Sequence, residues 1–151
     1  MLAIMTDANT DHRAAEKWGD AALAGFQQVP DILLKKQVEL GLSPTDMLVL
    51  LNITMHWWYA GQRPFPRPTT IADRLNVAPR TVQRSLRRLS ELGLVERVTE
   101  PGEDGTPRLV CDLSGLVTKL ERYARADPNY RVRAKGRDGK VEDQDRDAMA
   151  M

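Results

Sequence analysis

Residues 69–97 read TTIADRLNVAPRTVQRSLRRLSELGLVER. A short helix with Ile71, Ala72 and Leu75 on its inner side leads through a turn at Asn76 to Ala78 into a second helix opened by Pro79. That proline stands where a first-turn residue has no backbone N–H to lose. Gly93 closes the second helix at the position that favours a left-handed residue, and a β-prone run comes next. The expected fold class is mainly α with a small β-hairpin.

The second helix can be tested by angle, at about 100° per residue from Arg80 as zero. Val82, Leu86 and Leu89 then fall near 180–240°, which defines a buried stripe. Arg80, Arg84, Arg87 and Glu91 lie within about 40° of zero, with Thr81 and Arg88 on one shoulder and Gln83 on the other. A cationic face therefore stands opposite the apolar one. Guanidinium groups there match guanine N7 and O6 or phosphates, and Gln83 suits adenine or a phosphate oxygen. Arg80, Thr81, Gln83 and Arg84 are the candidates for base edges, and Arg87 and Arg88 for the backbone. Arg67, Thr69, Arg97 and Arg108 complete the candidate DNA-binding set. A charged helix face is usually just solvated, and the helix and turn ahead of this one are what favour the DNA reading.

Upstream, PDILLKKQVELG from Pro30 to Gly41 reads as a first short helix. Ser43, Pro44 and Asp46 form a pattern like a capping box that opens a long apolar helix, PTDMLVLLNITMHWWYA, ended by Gly61. The loop GQRPFPRP comes next, and Thr69 or Thr70 is expected to cap the helix after it. His56, Trp57, Trp58 and Tyr59, read as helical, diverge by about 100° each and cannot form one stacking platform. Core packing and a lid under the proline loop suit them better. Downstream, LVERVTE and PRLVCDL, joined by PGEDGT, read as a hairpin whose tip carries Glu100, Glu103 and Asp104. LSGLVTKLERYARA is a last helix with Leu116, Val117, Leu120, Tyr123 and Ala124 on one side, expected to cap the domain or to dimerise it. The expected division is a flexible arm at 1–25 with a helical turn near Ala14 to Trp18, a domain at 26–126, and a disordered charged tail at 127–151. The tail has a basic half (Arg131, Arg133, Lys135, Arg137, Lys140) and an acidic one.

The chain has 151 residues, 42% of them hydrophobic, which fits one domain with a modest core. Its net charge is only +1, but the charge is uneven. Between Arg63 and Arg97 eight arginines face three acids, Asp73, Glu91 and Glu96, the footprint of a phosphate-facing surface. Cys111 is the lone cysteine, so there is no internal disulfide and no metal-ligand spacing; His12 and His56 stand apart. No glycine-rich phosphate loop or nucleophile–base motif occurs, so neither a cofactor nor an enzyme is expected. The first residues lack a basic leader or a membrane span, and the expected compartment is a bacterial cytoplasm or nucleoid.

FQQVPDILL, GLSPTDMLVLLNITMHWW, PTTIADRLNVAPRTVQRSLRRLSELGLVER and CDLSGLVTKL together resemble the winged helix-turn-helix domains of plasmid and phage replication initiators, DnaD N-terminal-type replisome organisers and related bacterial regulators. The resemblance runs from Phe26 to about Ala126. It implies a winged helix-turn-helix fold and DNA contacts from the helix beginning at Pro79. Two departures stand out: Ala78 replaces the capping serine or threonine common in relatives, and the wing tip is acidic. The leading expectation is a sequence-specific double-stranded DNA-binding protein acting as a transcriptional regulator, bound as a homodimer. The alternative is a replication-origin-binding initiator or replisome organiser, which the resemblance favours, while the absence of a second winged helix and of a loader-binding domain after Asp127 tilts the expectation slightly toward regulation. A reading of another class is an adaptor for a replisome, polymerase or phage component. No membrane partner is expected.

Overall fold

The computed structural model describes residues 8–135. The first helix, α1, spans Ala8–Trp18 and runs into a 3-10 turn at Gly19–Ala24. The N-terminal segment is thus helical well beyond the single turn expected, although no residue from 12 to 24 is buried.

The next helix, α2, covers only Asp31–Lys35, shorter than the sequence reading from Pro30 to Gly41. The apolar residues of that stretch point in too many directions for one helical stripe. Leu33 and Leu40 are buried, while Leu34 and Val38 face solvent. After Lys35 the chain coils through tight turns, with Leu40 N–H donating to the Lys36 carbonyl and Leu42 N–H to that of Gln37. These turns drop Leu40 and Leu42 into the core.

Helix α3, Pro44–Thr54, opens as its sequence dictates. Asp46 N–H donates to Ser43 Oγ at 3.1 Å, and Ser43 N–H donates back to Asp46 Oδ2 at 3.1 Å, a reciprocal capping box behind Pro44. Its end corrects the sequence reading, which carried the helix to Ala60. Met55 and His56 form a turn and Trp57 leaves helical geometry to pack against the core. His56 and Trp58 meet edge to face at 6.3 Å. Trp58 and Tyr59 are exposed, so of the aromatic run expected to pack in the core only Trp57 does so.

Helix α4, Pro68–Leu75, begins one residue before the expected cap. Pro68 takes the first helical position, which makes Arg67 the N-cap and leaves Thr69 and Thr70 exposed inside the first turn. Asn76 in left-handed conformation ends it, and Val77 N–H donates to the Ala72 carbonyl. Helix α5, Pro79–Glu91, then crosses α3 and α4. Strands β1, Glu96–Pro101, and β2, Pro107–Asp112, pair antiparallel from Glu96 opposite Asp112 to Pro101 opposite Pro107. The tip is residues 102–106. Glu100 lies inside the ladder opposite Arg108, not at the tip as expected.

Helix α6, Ser114–Ala126, packs on α2 and closes the core through Leu116 and Leu120. Val117 turns outward instead of joining that face. Residues 128–135 are again helical, here α7, which replaces a tail expected to lack order over this stretch. Arg137, Lys140 and the acidic half of the tail lie outside the described residues. One core unites the elements, with Leu50, Ile53, Ile71, Val82, Leu89 and Leu94 all but fully buried. No helix among the described residues is long and apolar enough to cross a membrane.

Candidate nucleic-acid interface

On α5, Val82, Leu86 and Leu89 are buried, as the angular count requires, and Ser85 joins them on the α3 side. Arg80, Gln83, Arg84, Arg87 and Arg88 are exposed, and Thr81 is half-buried. Ala78 leaves the helix without a side-chain cap. Pro79 has no N–H and Thr81 N–H donates to the Ala78 carbonyl at 2.9 Å, so the first turn offers at most the Arg80 N–H to an outside acceptor.

The arginines from Arg63 to Arg108 divide into two groups by what their side chains touch. The guanidinium groups of Arg67, Arg80, Arg84 and Arg87 make no hydrogen bond or ion pair with any described residue, and all four residues are exposed. The others are engaged within the protein. Arg63 bridges Asp112 at 3.3 Å and Glu100 at 3.7 Å. Arg74 donates to Asn52 Oδ1 at 3.3 Å, and Arg97 to Gln83 Oε1 at 3.3 Å. Arg108 stacks on Phe65, with the guanidinium 4.2 Å from the ring centre, and donates to Glu100 at 3.4 Å.

Arg88 is the sharpest departure from the sequence reading, which gave it to the DNA backbone. Its Nη2 lies 2.6 Å from Asp46 Oδ1, and its Nε reaches both carboxylate oxygens at 3.1 and 3.2 Å. Ser85 Oγ donates to Asp46 Oδ1 at 2.8 Å. Asp46 is 1% exposed. Burial by itself pushes its carboxyl up, but the hydrogen bonds from Arg88, Ser85 and Ser43 outweigh that and hold it at about 2. The carboxylate is thus ionised and saturated with donors. It joins the start of α3 to the middle of α5, fixing the rotation at which the remaining arginines face outward.

The far end of α5 is held as well. Gly93 adopts φ +70° and turns the chain into β1. Lys119 Nζ of α6 donates to the Leu92 carbonyl, placing a cation at the negative end of the helix. Leu116 N–H donates to the Leu94 carbonyl at 3.0 Å, and Gly115 lies so close to Gly93 that a methyl group there would overlap the Gly93 carbonyl oxygen.

The hairpin is latched to the proline loop. Cys111 N–H donates to the Pro64 carbonyl at 2.8 Å, so the loop runs beside β2 and Arg63 lies across its acids. Burial raises the Cys111 thiol, against a weaker effect of Arg97, which leaves it protonated and inert.

Helix, turn, outward-facing helix and two-stranded hairpin are thus present in that order around one core. The fold is a winged helix-turn-helix. Residues 40–95 match the model of a family described as a helix-turn-helix domain. Among solved structures, the N-terminal domain of DnaD from Geobacillus kaustophilus superposes with a TM-score of 0.53 at 24% identity, covering 74% of this chain and 90% of that one. YusO from Bacillus subtilis matches at 18% identity over 91% of this chain and 99% of its own, with a TM-score of 0.38. A disulfide-containing form of AbfR matches at 18% identity over 95% and 97%, with a TM-score of 0.36. No curated protein matches the chain. The helix-turn-helix match supports double-stranded DNA binding, and α5 is the helix that a winged helix-turn-helix offers to the groove.

Two residues that matter to this surface escaped the sequence reading in their full role. Asp46 was legible as a cap but not as the partner of Arg88. Ser85, at about 140° on the α5 wheel, sits beside the apolar stripe, and that position was the one available hint of its burial.

Proposed function

We propose that the chain is a sequence-specific double-stranded DNA-binding protein and acts as a transcriptional regulator by occupying its site. The observation that carries this reading is the set of exposed, partner-free arginines on the helix-turn-helix itself, three of them on one face of α5 and the fourth at the start of α4. A guanidinium left free beside a rigid, braced helix is arranged for a ligand outside the protein. Arg80, Thr81, Gln83 and Arg84 are assigned to base edges, since the N-terminal part of such a helix goes deepest into the major groove. Gln83 Oε1 accepts from Arg97 at 3.3 Å, which leaves its amide N–H groups available to an outside acceptor. Arg87, Arg67 and Thr69 are assigned to phosphates. Arg88, Arg97 and Arg108 act first as braces, and any contact they make with DNA is secondary. A homodimer on inverted half-sites is the expected bound state.

The test is selection of bound duplexes from a random pool, then titrations with variants. Arg84→Ala should cost about 1–3 kcal/mol on the selected site and relax one position of it. Arg87→Ala should weaken all sequences alike and lower the salt slope by about 1. Unchanged binding by both variants would remove α5 from the groove. A selected palindrome supports an operator, whereas tandem repeats would replace regulation with origin marking.

A further inference from the structure

The chain past α6 has a built start. Asp127 leaves helical geometry at φ −74°, ψ 135°, and its Oδ1 accepts from Asn129 N–H at 2.9 Å while its carbonyl accepts from Tyr130 N–H at 3.0 Å. Pro128 occupies the first position of α7, so Asp-Pro serves as cap and first-turn residue. The same carboxylate lies 3.5 Å from Lys35 Nζ of α2. The base of α7 is therefore tied to the folded body.

Arg131, Arg133 and Lys135 of α7 are exposed, as is Arg122 of α6, and none has an ion pair among the described residues. Arg125 pairs only with the exposed Glu121, at 3.4 Å. Tyr130 and Val132 are also exposed, but they stand about 200° apart around the helix. No apolar stripe results, so α7 lacks the face with which a helix lies in a bilayer. The N-terminus of α6 abuts the C-terminal end of α5 through Lys119 and Leu116. The start of α7 lies about 13–18 Å farther along α6 than those two contacts. Its cations thus follow the end of α6 that is remote from its junction with α5.

We infer that α7 and the last turns of α6 form a second, sequence-independent contact for the phosphate backbone of duplex DNA, outside the stretch read by α5. This rests on the DNA-binding reading above. The test uses the full chain and the triple variant Arg131→Ala, Arg133→Ala, Lys135→Ala, with circular dichroism to show that the fold is retained. Each lost phosphate contact should reduce the slope of log affinity against log salt by about 0.9, so the triple variant should be shallower by about 2–3. Its preference for the selected site over random duplex should not change. Arg131→Lys with Arg133→Lys should keep the wild-type slope, and Arg84→Ala should lose preference while retaining the contribution of α7.

An unchanged slope in the triple variant, or a loss confined to the preferred sequence, overturns the inference and leaves the reading of α5 standing. Vesicles of phosphatidylcholine and phosphatidylserine that bind the wild type but not the triple variant, with no difference on DNA, would assign the surface to lipid and overturn it too. If the wild type shows no salt-dependent duplex binding, both readings fail together.

Discussion

The two halves of the Asp46–Arg88 pair should not be equally costly to remove. Arg88→Ala leaves a carboxylate that is 1% exposed without its main counter-charge, a defect worth about 3–5 kcal/mol. Asp46→Asn leaves a guanidinium whose side chain is still 46% exposed and can turn to water, and it keeps an oxygen for Ser85; about 1–2 kcal/mol is expected. Urea unfolding of the two variants measures the difference, and a larger loss for Asp46→Asn would contradict this assignment. The pair also sets a pH dependence. The folded carboxyl lies at about 2 against an ordinary 3.8, so its stabilisation is complete above 3.8 and is lost as pH falls through 2. That contribution is about 2 kcal/mol, and Asp46→Asn should remove it from the acid limb of the stability curve. The outward set of Arg80, Arg84 and Arg87 was readable from spacing alone, because helical angle decides it. The fate of Arg88 was not, because its partner lies 42 residues away and belongs to another element.

At the scale of elements, Gly115→Ala separates local preference from packing. Alanine favours a helix over glycine by about 1 kcal/mol, which taken alone predicts a more stable α6. Its methyl group would overlap the Gly93 carbonyl oxygen, and that oxygen belongs to backbone already fixed by the Leu116–Leu94 hydrogen bond. Backbone cannot move aside as a flexible side chain does, so packing should win and the variant should lose about 1–3 kcal/mol. Thermal unfolding decides it, and a raised midpoint would mean that α6 slides freely on α5. The starts of elements were the legible part of this fold. Ser43, Pro44 and Asp46 announced α3, and Pro79 and Gly93 bounded α5, since these signals act within one turn. The end of α3 carries no such signal before Gly61; Trp57 leaves the helix because the core takes its ring. The Asp127-Pro128 signal of α7 was present in the sequence but was outweighed by the dense charge between Arg131 and Asp147.

Across the whole molecule, the charges are arranged by what holds each of them. The positive face of α5 and Arg67 before α4 are left open, while the wing cations and Arg63 of the proline loop are engaged inside: Arg63 on Glu100 and Asp112, Arg108 on Glu100 and Phe65, Arg97 on Gln83. The sequence foresaw an acidic wing tip, but pairing removes Glu100 from it and leaves Glu103 and Asp104. Asp104 closes the turn by accepting from Thr106 N–H at 3.0 Å, whereas Glu103 is exposed and makes no ion pair with any described residue. A tip of that sign is repelled by phosphate, so we expect it to stand off the duplex while α5 is seated. Glu103→Lys then reverses a long-range repulsion without creating a contact. Association with duplex DNA should quicken several-fold at low salt, and the gain should vanish near 0.15 M salt, where the screening length falls to about 8 Å. Dissociation should not change, because no bond to the tip exists to be broken. Stopped-flow binding across a salt series reads both rates. Slower dissociation of Glu103→Lys would show instead that the tip touches the backbone, and the wing would then have to be counted among the DNA-contacting elements.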